Sequence, residues 1–94
     1  MLIRFLATAK TDLIWMRQYY TSVFPQGDDA ARKHYQTALS LLVENPYMGR
    51  PSEANEGARE LVIANTPFTF IYRINQPYID ILRLWDQRQD QPPV

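Results

Sequence analysis

Of the ten basic residues, only Lys10 and Lys33 are lysines; the other eight are arginines. The planar arginine fork matches carboxylates and phosphates bidentately, so recognition of an anion is the first chemistry to look for. Arg59, Arg73 and Arg83 fall on three consecutive C-terminal stretches of alternating apolar sequence, and Arg88 follows just beyond. Alternation that put several of them on one face would make a basic strip. Such a strip suits nucleic-acid phosphates or the carboxylates of an acidic protein segment. The competing use is local pairing, for example Arg83 with Asp80. Trp85, near the end of the last stretch, and Tyr47 and Arg50, in a long loop, complete the candidate contact set. Trp15 and Tyr19, one helical turn apart, form a second candidate patch for a partner.

Signals for an enzyme are thin. The single histidine, His34, has no cysteine or second histidine with which to share a metal. Ser22, Ser40 and Ser52 have no recognisable base nearby and no glycine-flanked elbow. Gly27, Gly49 and Gly57 are too scattered to cradle a phosphate. Glu56, Glu60, Asp80 and Asp86 are the available general bases, but charged residues near strand ends are usually solvated or paired. The expectation is no catalytic residue, no metal and no cofactor.

Composition narrows the class further. The 94 residues suffice for one domain, and the 46% hydrophobic and 13% aromatic content argue for a packed core. Ten acidic residues balance the ten basic ones, so no general positive field grips nucleic acid, and sequence-specific DNA binding by the chain alone is not expected. The absence of cysteine leaves the redox compartment unread, but no apolar run reaches membrane-spanning length and Met1-Leu2-Ile3-Arg4-Phe5 reads as a strand rather than a secretory apolar region, which makes a cytoplasmic protein the expectation.

These side chains need elements to position them. Residues 2 to 6 read as a first strand. Thr8 is placed to cap a helix in which Ala9, Leu13, Met16, Tyr20 and Val23 recur at helical spacing. Pro25 and Gly27 end it. Asp28 or Asp29 caps a second helix carrying Ala31, Tyr35, Ala38 and Leu42, with Leu39 widening the stripe, and Asn45-Pro46 stops it. A loop over residues 46–57 is long enough to have a role of its own. The period then falls to two over Arg59–Ile63, Phe68–Ile74 and Tyr78–Trp85, with turns at Asn65-Thr66-Pro67 and Asn75-Gln76-Pro77. The predicted fold is α+β, in the order β-α-α-β-β-β: a helical hairpin packed on a mostly antiparallel four-stranded sheet, within a domain over 1–88 and with a polar tail over 89–94. A hairpin covers one sheet face, and the other is left to solvent or another chain.

Four strings then stand in order: Asn45-Pro46-Tyr47-Met48-Gly49-Arg50-Pro51, Ala58-Arg59-Glu60-Leu61, Pro67-Phe68-Thr69-Phe70-Ile71-Tyr72-Arg73-Ile74, and Ile79-Asp80-Ile81-Leu82-Arg83-Leu84-Trp85. With Ala9-Lys10-Thr11-Asp12-Leu13 upstream, they resemble the RelE/ParE toxin superfamily, whose pattern reads NPxxGRP, REL, YRI in this order. The resemblance spans about residues 2 to 88. It implies the same β-α-α-β-β-β fold and a cognate antitoxin that wraps the toxin. RelE-like members cut ribosome-bound mRNA with basic residues at positions that here hold Glu60, Val62 and Thr69; only Arg88 matches their terminal basic site. The His-Tyr ending of another ribonuclease branch is replaced by Trp85-Asp86-Gln87-Arg88. ParE-like members, which the chain resembles better, poison DNA gyrase by binding. The expectation is therefore a ParE-like toxin of a type II toxin–antitoxin system. The alternatives are a ribosome-dependent endoribonuclease, or a degenerate toxin that only binds antitoxin.

Overall fold

The structure is a computed structural model that describes residues 1–22 and 25–87. Val23, Arg88 and the expected tail over 89–94 lie outside the described residues. The elements run β1 (Leu2–Phe5), α1 (Ala7–Ser22), a short 3-10 turn (Pro25–Gly27), α2 (Asp28–Glu44), β2 (Arg50–Pro51), β3 (Arg59–Val62), β4 (Phe68–Asn75) and β5 (Tyr78–Asp86). This is the expected α+β order with one addition. The long loop contains a two-residue strand, so the sheet has five strands rather than four, ordered β1-β5-β4-β3-β2. Periodicity has no purchase on two residues, one of them proline, and only pairing with β3 defines this strand. Pro51, lacking an N–H, also blunts that edge of the sheet.

Both helices bury the stripes their spacing dictates: Ala9, Met16 and Tyr20 from α1, with Leu13 packed against them, and Ala31, Ala38 and Leu42 from α2, with Tyr35 and Leu39 alongside. Their expected caps differ. Lys10 N–H donates to Leu6 C=O at 3.0 Å, so α1 starts before Thr8, which falls within the first turn. Gly27 occupies the cap position of α2 with no side-chain hydrogen bond, and Asp28 and Asp29 sit in its first turn. There their charges still favour the positive end of the helix dipole.

Register divides the sheet into two faces. Phe68, Phe70 and Tyr72 of β4 share the helix-covered face with Leu84 and Ile81 of β5 and with Phe5 and Ile3 of β1. The outer face carries Thr69, Ile71 and Arg73 from β4, Glu60 and Val62 from β3, and Asp80 and Trp85 from β5. β1 runs parallel to β5, the other pairs antiparallel. Between its pairs with Ile71 and Tyr72, β5 carries one extra residue, Leu82. This bulge changes the alternation along β5, so that Leu84 rather than Arg83 continues the buried row of Ile79 and Ile81.

Candidate functional site

Tyr72 is fully buried on β4, yet its hydroxyl is not idle. It donates to Pro46 C=O at 2.8 Å and accepts from Gly49 N–H at 2.9 Å. Burial pushes the Tyr72 phenol up, against the opposing pull of the Gly49 N–H and the nearby Arg59 charge. Arg59 faces the same way, opposite Tyr72, and donates from Nη1 to Gly49 C=O at 2.7 Å and Tyr47 C=O at 3.2 Å. Two strand side chains thus hold the main chain of 46–49 in a tight wrap. Gly49 has no alternative there: a Cβ would lie 2.6 Å from the Tyr72 hydroxyl and 2.8 Å from Glu60 C=O. Asn45-Pro46-Tyr47-Met48-Gly49-Arg50, Arg59 and Tyr72, which stand in three separate strings of the sequence, thus form one knot.

A second knot lies at the edge of β5. β1 pairs with β5 only as far as Ile81, and beyond it the Leu84 N–H donates to the Asp12 carboxylate of α1 at 3.0 Å instead of to a strand. The same carboxylate takes both arms of Arg83, Nε at 2.7 Å and Nη2 at 3.2 Å. These bonds hold the Arg83 guanidinium even further above neutrality than usual. Asp12 therefore fastens the first helix to the bulged strand.

On the outer face, Arg4 grips Asp80 with two bonds at 2.7 and 3.1 Å, Asn75 adds a third at 3.2 Å, and Arg73 donates to Glu56 C=O at 3.1 Å. The Arg4 bonds first, and then the Asn75 bond and the Arg4 and Arg73 charges, hold the Asp80 carboxyl below the usual carboxylate range.

The candidate arginines do not form a single strip. Arg59 is on the helix-covered face, Arg73 on the outer face and Arg83 at the α1 edge, each with partners inside the chain. Arg83 pairs with Asp12, not with Asp80, which belongs to Arg4. Arg50 on β2 reaches Glu60 at 3.3 Å. Tyr47 is 63% exposed beneath the Arg59 guanidinium, 5.2 Å from its ring centre, and Trp85 lies 6.0 Å from that of Arg83. Trp85 and Trp15 line the same small pocket of about 180 Å³, and Trp15 stacks on Tyr19. Arg88 lies outside the described residues. His34 meets Asn65 at 3.1 Å, and among the described residues no group of three or more potential ligands could hold a metal. Asp12 was the residue that spacing did not single out for this role; its only signal was membership of the first-helix string.

Residues 3–91 match the family model described as the ParE toxin of the type II toxin–antitoxin system, parDE. The chain belongs to the ParE toxin family. A solved structure titled as the chromosomal ParDE TA system from P. aeruginosa is similar at 29% identity with a TM-score of 0.70, over 89% of this chain and 92% of that one. Comparison with curated proteins finds no match. Within the ParE family the strings are now readable as scaffold: the loop wrapped on Tyr72, and the helix pinned to β5 through Asp12. No helix among the described residues is long and apolar enough to cross a membrane.

Proposed function

We propose that this ParE-family chain is silenced by a cognate antitoxin and, when free, inhibits DNA gyrase by binding rather than by cutting RNA. One observation carries the choice. Glu60, Val62 and Thr69, which stand where the ribonuclease branch has basic residues, are neighbours on the outer face, Val62 directly opposite Thr69. Glu60 is engaged by Arg50, Val62 is exposed and Thr69 is buried. A face that must neutralise a phosphate in a transition state needs cations aimed at it. At these positions the chain offers a carboxylate, an isopropyl group and a hidden hydroxyl.

Inhibition by contact asks only for a complementary surface, which the aromatic and arginine residues around Trp85, Trp15 and Tyr47 supply. Their action on gyrase belongs in the cytoplasm. The test is induction of the chain alone in a bacterial host with a DNA-damage reporter, followed by gyrase supercoiling and cleavage assays with purified chain. Growth arrest with the reporter on, and trapped cleavage complexes in vitro, is the expected result. Arrest with a silent reporter and ribosome-dependent mRNA cuts would overturn the gyrase reading in favour of an interferase. Normal growth with antitoxin binding intact would leave a degenerate toxin.

A further inference from the structure

The chain has two tryptophans, and both line one pocket of about 180 Å³ between α1 and the end of β5. Small-molecule sites begin at roughly 300 Å³, so this pocket is sized for a single side chain. Its walls carry two carboxylates, Asp12 and Asp86, against one cation, Arg83. Asp12 accepts three hydrogen bonds, from Arg83 Nε and Nη2 and from the Leu84 N–H, whereas a carboxylate offers about four places. Two of the three fall on Oδ2, which leaves room on Oδ1. The Thr11 hydroxyl donates to Ala7 C=O at 3.3 Å and keeps a lone pair for an outside donor. Trp15 stacks on Tyr19 and is still 44% exposed. The larger cleft between α1 and α2, about 310 Å³, has the reverse polarity, with Arg17 and Arg32 at its border beside Asp28 and Thr21.

We infer that the tryptophan pocket receives an arginine side chain of the gyrase that the chain inhibits. The inference rests on the gyrase reading above and names the contact. A guanidinium is planar, so it lies against the Trp15 indole while its N–H groups reach Asp12 Oδ1 and Thr11 Oγ1. The pairing has a counterpart within the chain, where the Arg83 guanidinium stands 6.0 Å from the centre of the Trp85 ring. Cation–π contacts of this kind strengthen as water is excluded, and a pocket of one side chain's size excludes it. Charge also selects the partner. An enzyme that breaks DNA holds phosphates with arginine and lysine. Carboxylates and indole faces offer those same arginines a competing set of acceptors.

The experiment uses the full chain labelled with 5-fluorotryptophan, which gives one fluorine resonance for each of the two tryptophans. Trp15→Phe assigns them. The probe is N-acetyl-arginine amide, and its citrulline counterpart, similar in shape but neutral, is the control. The Trp15 resonance should move with the arginine probe and at least about threefold less with the control. In parallel, inhibition of gyrase supercoiling is measured for Thr11→Arg and Thr11→Glu, both at an exposed helix position and both checked for folding by circular dichroism. Thr11→Arg puts the chain's own cation at the mouth and should weaken inhibition about tenfold. Thr11→Glu adds a carboxylate there and should strengthen it roughly threefold. Equal responses to the two probes, or equal losses or no change in the two variants, would overturn the pocket while the gyrase reading stands. If Thr11→Arg weakens antitoxin binding and leaves gyrase inhibition intact, the occupant is the antitoxin and the inference is wrong. Wild-type chain that leaves gyrase active would overturn the gyrase reading itself, and this occupant with it.

Discussion

The knot around Tyr72 and the cleft between α1 and α2 use similar side chains to opposite ends. In the knot, a tyrosine and an arginine turn inward and meet the carbonyls of Pro46, Tyr47 and Gly49 at hydrogen-bonding distance. In the cleft, Tyr35 and Leu13 remain half-covered, and Arg17 lacks a carboxylate partner among the described residues. A buried phenol left without partners would cost far more than an exposed arginine left without one. The knot is therefore tightly constrained by its own chain, whereas the cleft is free to be complementary to something else. An arginine within a family string thus also works inside the fold. Arg59 belongs to the strings and holds a loop, whereas Arg17 belongs to none of them and borders the open cleft.

That contrast can be broken by substitution. The largest effect is expected at Gly49→Ala, because the added methyl meets the Tyr72 hydroxyl and the Glu60 carbonyl, the latter a backbone atom that cannot rotate away. A loss of about 3 kcal/mol in urea unfolding is expected, and an unchanged midpoint would show that the wrap is loose. Asp12→Ala removes the acceptor of Arg83 and of the Leu84 N–H. It should cost about 2 kcal/mol and speed amide exchange at Leu84; retained protection there would mean that α1 does not fasten β5. Tyr72→Phe keeps the ring but strands Gly49 N–H and Pro46 C=O, with an expected loss of about 1–2 kcal/mol. The cleft variants Thr21→Trp and Arg17→Glu should change stability by less than about 0.5 kcal/mol, which makes stability the readout that separates the two regions.

A smaller effect is expected with pH. The folded Asp80 carboxyl titrates below its unfolded value, so in acid the unfolded chain binds the proton first. The stabilisation is present in full above the unfolded value, about 3.9, and fades as pH falls through the lower folded value. Asp80→Asn should therefore flatten the acid limb of the stability curve while leaving the slope near neutrality unchanged; an unaltered acid limb would remove the Arg4–Asp80–Asn75 cluster from the account.

Much of the frame was legible from residue order. The spacing of Ala9, Leu13, Met16 and Tyr20, and of Ala31, Tyr35, Ala38 and Leu42, marked helix faces because a helix repeats every 3.6 residues. The period of two from Phe68 to Ile74 marked a strand for the same kind of reason. Local order of this sort fixes what each segment becomes and which side of it is greasy. Tertiary contact decided the rest. The partners of Arg59, Arg73 and Arg83 lie 10 to 71 residues away along the chain, and one extra residue at Leu82 changed the alternation of β5. Spacing along a strand could not anticipate either, because a bulge and a long-range acceptor are set by packing and not by period. The same holds for the cleft: the sequence determined two amphipathic helices, but only their packing over the sheet decided that Leu13 and Tyr35 would line one cleft with Arg17 and Arg32 at its border.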